Sequence, residues 1–192
     1  ILVNNAGSHG PYGTIDEVDL DEWQAGLNMN IMSMVYTTHY AVKYFKKQNY
    51  GKIINLAGGG SNAPLPTVSS YAAAKSAITR LTENFALELQ KFNIFINAIN
   101  PGTLATDMNN ALLEKGKEKI DNLVYERLTA SIKKGGDCTS KAAELAIYLA
   151  SPESDHITGK LFNAVWDNWK EFDKSNIMNS DIYNVRRVRA DS

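Results

Sequence analysis

Residues 52–60 read Lys-Ile-Ile-Asn-Leu-Ala-Gly-Gly-Gly, a short β-branched run that stops abruptly in glycine. A buried strand followed by a close turn has this pattern. Two other stretches repeat it. Residues 1–4, Ile-Leu-Val-Asn, run into Asn5-Ala6-Gly7, and residues 94–99 run into Asn100-Pro101-Gly102. Between them lie segments of helical period. Residues 19–47 place Trp23, Leu27, Ile31, Met34, Val35 and Val42 at three- and four-residue steps, with Asp19 or Asp21 available as a cap. Residues 69–91 do the same with Ala73, Ala77, Ile78, Leu81, Phe85 and Leu89. Strands alternating with helices predict an α/β fold: a parallel sheet covered by helices on both faces.

Beyond Pro101 the pattern loosens. Residues 108–131 form a charge-mixed amphipathic stretch that predicts helix and ends at Gly135-Gly136. Residues 139–149 predict a helix stopped by Ser151-Pro152, residues 159–165 a last strand, and residues 166–192 a polar tail holding two of the three tryptophans. No repeat or linker divides the chain.

Composition narrows the function classes. The 192 residues carry 20 Lys+Arg against 21 Asp+Glu, a net charge of -1, and 44% hydrophobic residues. That balance argues against an electrostatic nucleic-acid binder or a polybasic membrane-surface protein. The apolar runs fall far short of the ~18 residues of a membrane span. Cys138 is the only cysteine, which excludes an intrachain disulfide framework and fits a reducing, cytoplasmic compartment. His9, His39 and His156 are scattered, so no metal site is expected, and no G-x-S-x-G turn points to a serine nucleophile. The chain opens on Ile1 inside a strand pattern, which reads as a truncation.

Tyr71 and Lys75 carry the chemistry. Four residues apart, they share one helix face near its start. An ammonium beside a phenol favours phenolate, the form a tyrosine needs to act as an acid or base near neutral pH. The same spacing also suits an ordinary solvated pair. Its context is three strand-ending turns, 4–7, 58–61 and 100–103, at the end of a parallel sheet where open α/β folds bind ligands.

Taken together, Asn4-Asn5-Ala6-Gly7, Asn30 within Met29-Asn30-Ile31, Tyr71-x-x-x-Lys75 and Pro101-Gly102-x-x-x-Thr106 resemble, in order and spacing, the single-domain branch of the short-chain dehydrogenase/reductase family. The resemblance covers residues 1–165, and Ile157-Thr158-Gly159-Lys160 fits it as the lead into the last strand. It implies a three-layer α/β/α Rossmann-type doubly wound sheet, here reduced to about four strands in the order 4-5-6-7 of the family's 3-2-1-4-5-6-7. It also implies hydride transfer between NAD or NADP and an alcohol or carbonyl carbon of a small-molecule substrate. Tyr71 would exchange the proton, Lys75 would lower its pKa and hold the nicotinamide ribose, and Asn30 would hold a water in the relay. Asn4, Ala6 and Gly7 would line the adenosine half of the cofactor, and Pro101, Gly102, Leu104 and Thr106 its nicotinamide and pyrophosphate. The helices of residues 19–47 and 69–91 would form a homo-oligomer, and residues 108–131 would cover the site.

Three features depart from the family pattern. Counting thirteen residues back from Tyr71, where the family carries a serine, gives Gly58; Ser61 is then the nearest hydroxyl able to reach in. The glycine-rich turn T-G-x-x-x-G-x-G and the NAD/NADP selector are not in the sequence, so pyrophosphate binding at a first helix is expected to be lost, with Ile1-Leu2-Val3 left as an unpaired edge. The tail, Asn163-Ala164-Val165-Trp166-Asp167-Asn168-Trp169, is unusual for the family, and Arg186, Arg187 and Arg189 read either as an anion patch or as a solvated tail or subunit contact. Two other readings stay open: a sugar-nucleotide epimerase or dehydratase that reuses Y-x-x-x-K, and a non-catalytic nucleotide-binding homologue.

Overall fold

The computed structural model describes residues 1–171, 174–178 and 180–186. Four strands, β1 (Leu2–Asn4), β2 (Gly51–Leu56), β3 (Ile94–Asn100) and β4 (Leu161–Asn163), form one sheet in the order β1-β2-β3-β4 with every pairing parallel. Between β1 and β2 runs α1 (Leu20–Gln48), and between β2 and β3 runs α2 (Ser69–Leu89). After β3 come α3 (Asp107–Glu114), α4 (Asn122–Lys133) and α5 (Thr139–Ala150); after β4 comes the short α6 (Lys174–Met178). Among the described residues no helix is long and apolar enough to cross a membrane.

The layers follow from strand alternation. Ile53 enters a cluster with Phe45 of α1 and Ala86 and Leu89 of α2, while its neighbour Ile54 enters one with Leu145 and Leu149 of α5. Successive strand side chains point to opposite faces, and both faces are covered, so Ile53 and Ile54 are both buried instead of alternating with exposed positions. Asp19 caps α1 by accepting from the backbone N–H groups of Asp21 and Glu22, both at 2.9 Å. Asn49 ends the helix in the left-handed conformation, φ 51°. The outer edge of the sheet is β1, with Ile1 72% and Val3 48% exposed.

Two expectations change. The last strand shortens to three residues because Gly159, at φ 74°, turns the chain before it. The segment expected as a polar tail packs on the molecule: Trp169 and Ile177 are buried with Ile54, Ile99 and Phe162. The free edge of β4 supplies the reason. Leu161 N–H donates to the Tyr183 carbonyl at 2.8 Å, Lys160 Nζ reaches the Ser180 carbonyl at 2.6 Å and Asn184 Oδ1 at 2.7 Å, and the edge is thereby covered. Arg186 pairs with Glu83 of α2 and with Asp181, so it is a tether within the chain; Arg187 and Arg189 lie outside the described residues.

Lys52 is 1% exposed in the middle of this core. Its ammonium lies 2.8 Å from Asp155 Oδ1, 2.9 Å from Ser154 Oγ and 4.7 Å from the Phe95 ring centroid. A buried charge keeps its place only while its partners remain. Asp155→Ala is expected to cost about 2 kcal/mol, below the fully buried range because Asp155 is partly solvated, and Lys52→Met in the same chain should recover most of it. Urea denaturation midpoints of the two variants measure both.

Candidate active site

The first turns of α2 lie beside the carboxyl ends of β2 and β3. Ala74 is fully buried there, which brings the helix close enough for Lys75 Nζ to donate to the Leu56 carbonyl at 2.7 Å. No other partner of the ammonium is found among the described residues, so two of its three protons remain for a ligand. Burial pulls Lys75 down to about 8. One turn earlier, the Tyr71 ring lies 5.4 Å from Lys75 Nζ, and its hydroxyl makes no hydrogen bond among the described residues. Burial pushes this phenol up to about 12. The expected lowering by Lys75 is not what sets the phenol's direction in this geometry. Lys75 points at the Leu56 carbonyl, and desolvation outweighs its charge.

Asn30 faces this pair from α1. It is 1% exposed; its Nδ2 donates to the carbonyls of Ser8 at 2.7 Å and Gly26 at 2.8 Å, and its Oδ1 accepts from Ser8 N–H at 3.3 Å. It clamps the loop after β1. A Cβ built on Gly7 would stand 2.7 Å from Asn30 Oδ1 and 3.5 Å from Lys75 Nζ, so Gly7, Asn30 and Lys75 form one contact and only glycine fits. Ala6 and Gly7 are exposed beside it. The Asn4 amide is spent within the fold: Nδ2 donates to Asn55 Oδ1 at 2.8 Å and Thr38 Oγ1 at 3.2 Å, and Oδ1 accepts from the Thr37 hydroxyl at 2.6 Å.

In front of Tyr71 opens a cavity of about 430 Å³ at the carboxyl end of the sheet. Pro101, Gly102, Leu104 and Thr106 form one wall, and Gly58 and Gly59 another. Asp137 holds the first wall, its Oδ2 accepting from Thr103 N–H at 2.6 Å. Helices α3 and α4 close over the top, burying Leu112 and Leu128 against Tyr71 and Val68 as expected for a covering segment. Asp121 N–H, at the head of α4, is tied to Thr67 Oγ1 at 3.0 Å.

Ser61 does not reach this cavity. It is buried with its hydroxyl donating to the Gly58 carbonyl at 2.7 Å, which closes the glycine turn and uses its proton there. A Cβ at Gly58 would lie 2.5 Å from Tyr71 Oη, so the phenol hydroxyl occupies the space a side chain at 58 would need.

His9 is the residue that sequence reading passed over. It is buried in the cavity wall, packed edge-on to the Tyr71 ring with centroids 4.9 Å apart, and its Nδ1 lies 3.1 Å from Tyr12 Oη. Burial first, and the charge of Lys75 second, pull its pKa down to about 4, so it is neutral across the physiological range. Its loop is drawn in by small residues: a Cβ on Gly26 of α1 would meet Gly10 Cα at 2.9 Å. The available signal was the pair Gly10 and Gly26, one on each side of a close approach.

The first 117 residues match the family model described as short chain dehydrogenase. Among curated proteins, the chain is 32% identical over 161 residues to an uncharacterized oxidoreductase, YohF, of Escherichia coli (strain K12), covering 83% of this chain and 60% of that protein. It is 30% identical over 162 residues to the 3-oxoacyl-[acyl-carrier-protein] reductase FabG of Thermotoga maritima, covering 84% and 62%. Among solved structures, a gluconate 5-dehydrogenase from Burkholderia cenocepacia J2315 in complex with NADP and tartrate superposes with a TM-score of 0.72 at 27% identity, covering 84% of this chain and 62% of that one. The chain thus spans about three fifths of the length of the relatives it matches. A family match over more than half the chain, the parallel sheet, and Tyr71 and Lys75 at its carboxyl end agree: the chain belongs to the short-chain dehydrogenase/reductase family.

Proposed function

We propose that the protein is an NAD(P)-dependent oxidoreductase that interconverts an alcohol and a carbonyl, with Tyr71 as general acid and base. The observation that carries this reading is the Tyr71 hydroxyl in the cavity wall, without a hydrogen-bond partner among the described residues, with a buried ammonium one turn behind it. A bound nicotinamide cofactor supplies the hydride that adds to the carbonyl carbon and is itself oxidised. Tyr71 donates its phenolic proton to the carbonyl oxygen, so the product is the alcohol. In the reverse direction it takes that proton back. The free protons of Lys75 suit ribose hydroxyls; Asn30, by clamping Ser8, holds the loop behind Lys75 and keeps the relay side of the ammonium in place. Pro101, Gly102, Leu104 and Thr106 suit the nicotinamide end. Asn4 serves by joining β1 to β2, and Ala6 and Gly7 leave room for the adenosine half.

Neutral Tyr71 favours the reductive direction near pH 7. Tyr71→Phe is expected to lower kcat for reduction of ethyl acetoacetate or acetoin by roughly 10²–10⁴-fold with little change in KM. In the parent, reduction should persist up to high pH, since Tyr71 keeps its proton until about 12, while alcohol oxidation, which needs phenolate, should rise with pH. Nicotinamide absorbance follows both; parental rates in Tyr71→Phe overturn the reading.

Restoring a hydroxyl at position 58 should do harm. Because the new Cβ collides with Tyr71 Oη, Gly58→Ser is expected to cost about 1–3 kcal/mol and to reduce turnover. Thermal unfolding and kcat test this; a rise in kcat would show that Tyr71 yields the space freely.

We also propose a homo-oligomer built on α1 and α2. Met29, Tyr36, Tyr40 and Tyr44 of α1 and Leu87 of α2 are exposed, an apolar surface of the kind a partner copy covers. Light scattering at micromolar concentration should give a mass above that of one chain, and Tyr40→Glu should lower it.

A further inference from the structure

We propose that His9 is a second catalytic group of this site, its Nε2–H donating a hydrogen bond to the substrate oxygen that Tyr71 protonates. The assignment rests on the oxidoreductase reading above and adds to it a residue that reading does not use.

An oxygen gaining negative charge during hydride addition is stabilised most by fixed donors aimed at it, and one such donor commonly contributes roughly 10²–10³ in rate. Tyr71 is one donor. Around it, Gly58 has no side chain, the Ser61 hydroxyl is turned onto the Gly58 carbonyl, and Asn109 Nδ2 is bound to the Leu104 carbonyl at 2.7 Å, while Arg127 and the Thr103 and Thr106 hydroxyls line the same cavity. Thr106 Oγ1 accepts from Asn109 N–H as the cap of α3. His9 is the polar side chain of the cavity that packs directly on the Tyr71 ring.

Its position is held from several sides. The His9 carbonyl accepts from Ser70 Oγ at 3.4 Å, the Gly10–Gly26 approach fixes the next residue, and the ring stands edge-on to Tyr71 at 83°. Tyr12 bears on its tautomer. Tyr12 Oη, 3.1 Å from Nδ1, has no other partner among the described residues, and burial raises the pKa of that phenol. With the phenol proton donated to Nδ1, the ring proton sits on Nε2, which makes no hydrogen bond among the described residues, and the ring lines the cavity. Tyr12 is thus a positioning residue, acting through His9. No proton is transferred by His9: hydride reaches the carbonyl carbon from the nicotinamide, the proton reaches the oxygen from Tyr71, and the imidazole stays neutral throughout.

The test combines kinetics with a spectroscopic readout. In protein carrying ¹⁵N-labelled histidine, the His9 ring is expected as the Nε2–H tautomer at pH 7. The Nδ1–H tautomer overturns the proposal whatever the turnover. His9→Phe keeps an aromatic edge against Tyr71 and removes the donor; it should lower kcat for ethyl acetoacetate roughly 10²–10³-fold with a smaller change in KM. His9→Gln, which keeps an N–H, should recover part of the loss, and Tyr12→Phe should lose several-fold. Tyr71→Phe measured in parallel separates the two claims: if it is inactive while His9→Phe runs at the parental rate, only the role of His9 falls. If both variants run at the parental rate, the oxidoreductase reading falls with it.

Discussion

The hydrogen bond from Lys75 Nζ to the Leu56 carbonyl sets the geometry of the whole carboxyl end of the sheet. An ammonium buried this deeply must find an acceptor, and the last carbonyl of β2 provides one at the point where the chain leaves the sheet. That bond ties α2 to β2 in one axial position. Tyr71, one turn earlier, is then placed over the glycine turn and against the cavity, and the wall from Pro101 to Thr106 faces it from the end of β3. The clamp of Asn30 on Ser8 completes the frame from α1, with Gly7 wedged between Asn30 and Lys75. A side chain at Gly7, or a bulkier residue at Ala74, would push α2 away and dissolve the arrangement.

Burial acts on Tyr71, Lys75 and His9 in the same sense, toward the uncharged form. Tyr71 is held up near 12, Lys75 down near 8, and His9 down near 4. A neutral phenol and a neutral imidazole side by side make a pair of donors without net charge, which suits a neutral carbonyl that becomes anionic only as it reacts. The space at Gly58 belongs to the same arrangement. Where a side chain at 58 would fill the ground beside Tyr71, here the phenol hydroxyl itself occupies it, and the neighbouring polar function comes from the opposite wall, from the loop after β1.

Much of this was legible in the residues. The β-branched runs ending in glycine and the three- and four-residue apolar steps of α1 and α2 marked the sheet and its helices, because strand and helix periods are local properties of the chain. Tyr71 and Lys75 were legible for the same reason, since four residues of helix put them on one face. The tail was misread. Trp169, Ile177 and Tyr183 have no period, and their burial depends on the unpaired edge of β4, which exists only once the sheet is assembled. Ser61 was misjudged because its preference for the Gly58 carbonyl depends on how the three-glycine turn closes.

Sequence by itself determined the α/β class and the pairing of phenol with ammonium, which follow from residue type and short-range spacing, while the strand order came only with the family resemblance. Only the tertiary structure decided which polar groups meet across distant segments. His9 and Tyr71 are far apart in the chain and touch because two glycines let the loop after β1 sink between α1 and α2. It also decided in which direction burial moves each titratable group of the site. Whether Lys75 lowers the phenol or burial raises it depends on the direction of one ammonium and the depth of one ring, and neither is a property of spacing.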